Sequence, residues 1–206
     1  MSGGASGSGR ADAAGWTIVV PVKSLSGAKT RLAPELAPAE RAALARAFAL
    51  DTIDAAGAAR SVARVVVVTD EPAIELALRE APGVEVVPEA GPRGLAAAIA
   101  HGIAVARAHP ADAPSSRAVM GVSTAAEGTV PPREGGGADA AVAVLLGDLP
   151  ALRARDLDAA LEVAARHPLA FVADAEGPGT TLATARAGEG LTAHFGADSA
   201  ARHAAV

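Results

Sequence analysis

Cysteine and tyrosine are absent from this 206-residue chain, and its aromatic residues amount to one tryptophan and three phenylalanines. Without cysteine there is no disulfide, no thiolate metal site and no cysteine nucleophile. Aromatic residues at 2 % offer no platform on which successive bases could stack, and a net charge of −5 provides no basic stripe. Polymeric nucleic acid is therefore not an expected partner. No apolar run approaches the roughly 20 residues of a membrane span, and the N-terminus lacks the apolar core of a signal peptide. The expectation is a cytoplasmic protein without a membrane partner.

What is present is a chain that is half apolar and rich in alanine, long enough to bury one substantial core. "MSGGASGSGRADAAG" (1–15) has no periodicity and reads as a flexible leader. Residues 16–206 read as a single domain. Strands are expected at 16–22, 64–70 and 84–88 and again in "AVLLGDLPAL" (143–152), with helices at 38–60, from Pro72, at 94–109 and at about 155–167. In the first helix Leu44, Phe48 and Ile53 fall near one face. Alternating strands and helices, with strands of nearly continuous Val and Leu, imply a three-layer α/β fold around a mostly parallel sheet. The Pro-, Gly- and Ser-rich segment 110–139, with its "GGG", breaks this rhythm and is expected to be a disordered insertion.

Open α/β sheets bind ligands beyond the carboxyl ends of their strands. After the first strand, "PVKSLSGAKTRLAPEL" crowds Lys23, Lys29 and Arg31 among small residues. Such a loop is either a solvated basic turn or a cradle for polyphosphate, in which N–H groups and point charges surround the oxygens. It lacks the spacing of a P-loop or a dinucleotide fingerprint, which disfavours a P-loop ATPase or an NAD enzyme. After the second strand, Asp70 reads as a cap for the helix beginning at Pro72. In "GDLP", Asp148 either shapes a turn or, with substrate phosphates, holds Mg²⁺. In "FVADAEGPGTTLATA" (171–185) Asp174 ends a strand, and glycines near Thr180 and Thr181 permit close backbone approach. Ser199, in "HFGADSAARH" (194–203), starts a short helix, as an ordinary N-cap or as part of an anion site.

Taken in order, "VVPVKSLSGAKTRLAP", "VVVVTDEP", "LLGDLPAL", "AFVADAEGPGTTLATA" and "HFGADSAARHAAV" resemble the guanylyltransferases of coenzyme F-420 biosynthesis, the type called CofC or FbiD. The resemblance runs over residues 16–206 apart from the insertion. It implies a Rossmann-like nucleotidyltransferase fold of the GT-A-like kind that joins GMP from GTP to phosphoenolpyruvate or 2-phospho-L-lactate and releases pyrophosphate. By position, Lys23, Lys29 and Arg31 would face the GTP phosphates, and Asp148 with Asp174 would hold Mg²⁺. Thr181, Gly196 and Ser199 would grip the acceptor, with Thr180 beside them. The competing expectations are a nucleotide-binding regulatory protein and another nucleotidyltransferase on the same scaffold.

Overall fold

A computed structural model describes residues 15–91, 94–108, 140–192 and 194–205. The expected leader, apart from Gly15, and the expected insertion at 110–139 lie outside the described residues.

The elements follow the order β1 (Trp16–Pro21), α1 (Pro38–Gly57), β2 (Val62–Val68), α2 (Pro72–Leu78), β3 (Val84–Val87), α3 (Leu95–Ala108), β4 (Val142–Leu145), α4 (Ala154–Ala164), β5 (Leu169–Ala173), β6 (Thr180–Ala185) and α5 (Ser199–Ala204). Two short 3-10 turns, Leu25–Gly27 and Thr30–Leu32, shape the loop after β1. The six strands form one sheet in the order β3-β2-β1-β4-β6-β5. β1 pairs in parallel with β2 and β4, and β2 with β3, while β6 runs antiparallel to both β4 and β5. Helical crossovers make the first four strands parallel, whereas the short 174–179 turn folds β6 straight back on β5. The expected three-layer, mostly parallel α/β architecture is the one observed.

Because successive strand residues point to opposite faces, each face of the sheet has its own core. Ile18, Val20, Val65, Val67 and Leu145 pack beneath α1, α2 and α4. Val19, Val66, Val68, Val142 and Val144 pack beneath α3. Burial on both sides is why these strands read as unbroken apolar runs. The contact face of α1 differs from expectation: Ala45, Ala49, Thr52, Ile53 and Ala56 are buried, while Leu44 and Phe48 are only partly so. Small residues let the helix axis come close to the sheet, and the larger side chains flank the contact. Gly102 does the same for α3, since a Cβ there would overlap the Val19 and Val68 side chains.

This topology brings the C-terminal ends of β1 to β5 and the start of β6 to one rim. The four strand-end motifs of the sequence meet there.

Candidate active site

The loop after β1 carries the cations, and Lys29 is its most constrained member. Its backbone is left-handed, at φ 53° and ψ 43°, which a long side chain seldom adopts without compensation elsewhere. The ammonium lies 4.9 Å from the centre of the Phe48 ring on α1 and donates to Asp148 Oδ2 at 3.0 Å. Lys23 donates to Glu89 Oε2 at 2.9 Å, and Arg31, almost fully exposed, lies 3.8 Å from Glu176. Each of the three expected phosphate-facing cations thus faces a carboxylate. An anionic ligand must exchange with these partners.

Asp148 leaves the sheet just after β4. Gly147 makes this exit possible, because a Cβ there would crowd the Pro21 carbonyl and the Val20 and Val22 side chains at 3.3 Å. Thr52 fixes the next residue. Its hydroxyl donates to the Phe48 carbonyl at 2.8 Å and accepts from the Leu149 N–H at 2.9 Å. The α1 helix therefore holds both the ring under Lys29 and the backbone next to Asp148. The Asp148 side chain is 59 % exposed, and it bonds to Lys29 rather than closing its own turn.

Across the β4–β6 ladder, Leu145 stands opposite Leu182, and Leu146 N–H donates to the Thr181 carbonyl at 3.1 Å. Asp148 and Gly179, three residues beyond this pair on either strand, consequently emerge at the same rim. Asp174 emerges there from β5. One of its carboxylate oxygens accepts the Gly177 N–H at 2.7 Å, and the other lies where a Cβ on residue 179 would sit. Gly179 is required for that carboxylate position.

Thr180 and Ser199 are buried, and their hydroxyls form a relay: Ser199 Oγ donates to Thr180 Oγ1 at 3.0 Å, and Thr180 Oγ1 lies 2.9 Å from His203 Nδ1. Ser199 is the first residue of α5 and makes no cap; the cap position is Asp198, left-handed at φ 53°. Burial, followed by the charges of His194 and Arg202, pushes the His203 imidazole below its ordinary value. Its Nε2 is buried without a partner among the described residues. Thr181 is half-buried and Gly196 exposed, with φ 116°, a conformation that glycine adopts without strain. Ala200 N–H donates to the Pro178 carbonyl at 3.0 Å, which docks α5 on the Asp174 turn.

Asp70 departs from its expected role. Pro72 does open α2, but Asp70 accepts the Glu89 N–H at 2.8 Å instead of capping that helix. The helix lies too far along for its carboxylate, and the loop after β3 supplies a closer donor. Lys23, Ser24, Asp70, Glu71, Glu89 and Gly94 line a cleft of about 490 Å³ above β1, β2 and β3. A second cavity of about 540 Å³, between β5, β6 and α5, is lined by Phe171, Leu191 and His194 among others and by none of the loop cations.

Mg²⁺ usually takes one or two protein carboxylates and completes its octahedron with water and phosphate oxygens. The rim suits that mode. Asp148 is exposed and Asp174 leaves at the same edge.

Carboxylates, lysines and glycine-shaped turns thus gather at the C-terminal rim of a Rossmann-like sheet. The fold is shared with a nucleotide-diphospho-sugar transferase from Desulfovibrio desulfuricans, at a TM-score of 0.62 and 15 % identity over 92 % of this chain and 74 % of that one. The family model described as "Guanylyl transferase CofC like" matches residues 16–114. A phosphoenolpyruvate guanylyltransferase from Sanguibacter keddieii is 48 % identical over 92 % of this chain and 69 % of its own length. Another from Streptomyces scabiei is 45 % identical over 91 % and 76 %. The chain belongs to the CofC-like guanylyltransferase family. No helix among the described residues is long and apolar enough to cross a membrane.

Sequence reasoning missed Phe48, Thr52, Glu71 and Glu89. Thr52 alone left a local signal, as a polar residue on the buried face of a helix. Glu89 lies 66 positions from the Lys23 it pairs with, and Glu71 lies 46 from the Leu25 N–H it accepts.

Proposed function

We propose that this nucleotidyltransferase transfers GMP from GTP to phosphoenolpyruvate and releases pyrophosphate, as a step in coenzyme F-420 biosynthesis. The observation that carries the reading is Lys29, held in a left-handed backbone against Asp148 at the rim where Leu146 N–H meets the Thr181 carbonyl. Phosphoenolpyruvate is preferred to 2-phospho-L-lactate because the similar curated proteins are named for it.

In this reading an acceptor phosphate oxygen forms a bond to the GTP α-phosphorus as the bond to the β-phosphate oxygen breaks. No side-chain nucleophile is needed, so positioning and electrostatics carry the catalysis. Lys23, Lys29 and Arg31 exchange their carboxylate partners for triphosphate oxygens. Thr180, Thr181, Gly196 and Ser199 form the acceptor corner, the buried hydroxyl relay of Thr180 and Ser199 fixing the backbone that the acid meets. Asp148 and Asp174 hold Mg²⁺, which supplies neutralisation of charge on the phosphates when bound.

The test is pyrophosphate release with Mg²⁺ across GTP, ATP, UTP and CTP and a panel of small phospho-acids. Release with GTP and phosphoenolpyruvate is expected. Release only with other pairs assigns a different nucleotidyl transfer, and GTP binding without release from any pair assigns a regulatory nucleotide-binding protein.

A further inference from the structure

The Lys23–Glu89 ion pair is the one loop pair that forms a wall of the 490 Å³ cleft, and its carboxylate partner is well covered, at 14 % side-chain exposure. The cleft has the size of a small-molecule site. Its three carboxylates are engaged differently. Asp70 holds the Glu89 N–H, and Glu71 Oε2 holds the Leu25 N–H at 3.1 Å, so both brace backbone. Glu89 alone is held there by an ion that a triphosphate would claim.

A ligand that removes Lys23 leaves a mostly buried carboxylate without its cation, which is costly unless the same ligand returns hydrogen-bond donors. Among the common bases only guanine offers two neighbouring donors on one edge, N1–H and the exocyclic amine, and these match the two oxygens of a carboxylate. Adenine presents an acceptor at N1 and would face Glu89 with repulsion. We propose that Glu89 is the guanine-reading residue, and that splitting of the Lys23–Glu89 pair, phosphate to the lysine and base to the carboxylate, selects GTP over ATP. The inference rests on GTP being the nucleotide donor. It assigns specificity to the loop after β3, with Asp70 as the residue that positions it.

The experiment measures dissociation constants of GTP, inosine triphosphate and ATP by calorimetry with Mg²⁺, for the wild-type chain, Glu89→Gln and Glu89→Asp. Inosine triphosphate keeps N1–H and lacks the amine. The wild-type order should be GTP tightest, inosine triphosphate weaker and ATP weakest. Glu89→Gln should weaken GTP by about 10- to 100-fold, the loss expected for bonds to a charged group, while ATP binds as before or more tightly. The GTP-to-inosine ratio should fall toward one in the same variant. Glu89→Asp, which keeps the charge and shortens the reach, should fall between and serves if the glutamine variant is poorly folded. An equal loss for all three nucleotides, or an unchanged ratio, overturns the assignment to Glu89 and leaves the GTP reading standing. A wild-type chain that does not prefer GTP overturns both.

Discussion

Lys29 Nζ lies 3.0 Å from Asp148 Oδ2, joining residues 119 positions apart in sequence across the rim between β1 and β4. With the lysine side chain 22 % and the aspartate 59 % exposed, this pair contributes little to stability, on the order of 1 kcal/mol or less. Its cost appears instead in the backbone of Lys29, which is held in a left-handed conformation. Strain of that kind at a rim cation points to a role in binding.

Asp148→Asn keeps the shape of the side chain and removes its charge. Turnover should fall by orders of magnitude while the thermal midpoint stays nearly constant, because the group is exposed and holds no backbone. Paired assays of pyrophosphate release and thermal melting check this. An unfolded variant or an active one argues against the metal role.

Lys29→Gly separates binding from stability at a single position. Glycine relieves the left-handed backbone but loses the contact with Phe48 and the ion pair, so folding free energy should change by about 1 kcal/mol or less. Nucleotide affinity and turnover should drop at least tenfold. A variant as active as the wild type would show that the lysine only decorates the loop.

Thr52→Val preserves volume and deletes the acceptor for Leu149 N–H. Denaturant unfolding should show a loss of about 1–3 kcal/mol, the cost of an unsatisfied buried donor. Turnover should fall as well, since the backbone after Asp148 loses its anchor. Stability lost with turnover intact would mean that the "GDLP" turn keeps its position unaided.

Acidification should loosen the α5 corner. His203 is held below its ordinary value of 6.5, so the unfolded chain takes up its proton first as the pH falls. The stability this histidine contributes is complete above about pH 6.5 and declines below it. Groups facing it include His194 and Arg202, whose charges oppose its protonation further. Melting curves from pH 7.5 to pH 5 should fall more steeply for the wild type than for His203→Gln. Parallel curves would place the acid sensitivity elsewhere.

The sequence by itself determined the layered architecture, because strand and helix periodicities are local properties of the chain. Buried Val runs separated by helical segments permit few other arrangements, and the sheet is mostly parallel as expected, with β6 (Thr180–Ala185) the antiparallel strand that the reading did not include. It also determined which strand ends carry polar chemistry, since Lys23, Lys29, Asp148, Asp174 and Thr181 are legible as charges and hydroxyls at apolar boundaries. Tertiary structure decided how these residues are engaged. The pairings Lys23–Glu89 and Lys29–Asp148 span 66 and 119 residues, and no local pattern encodes a partner at that distance. Asp70 turned from a helix cap into a brace for the β3 loop, and Thr180 with Ser199 turned inward, because neighbouring strands and α5 supplied donors and acceptors that sequence proximity does not reveal. Periodicity is fixed within a few residues; hydrogen-bond partners at the rim are fixed only when the sheet brings its ends together.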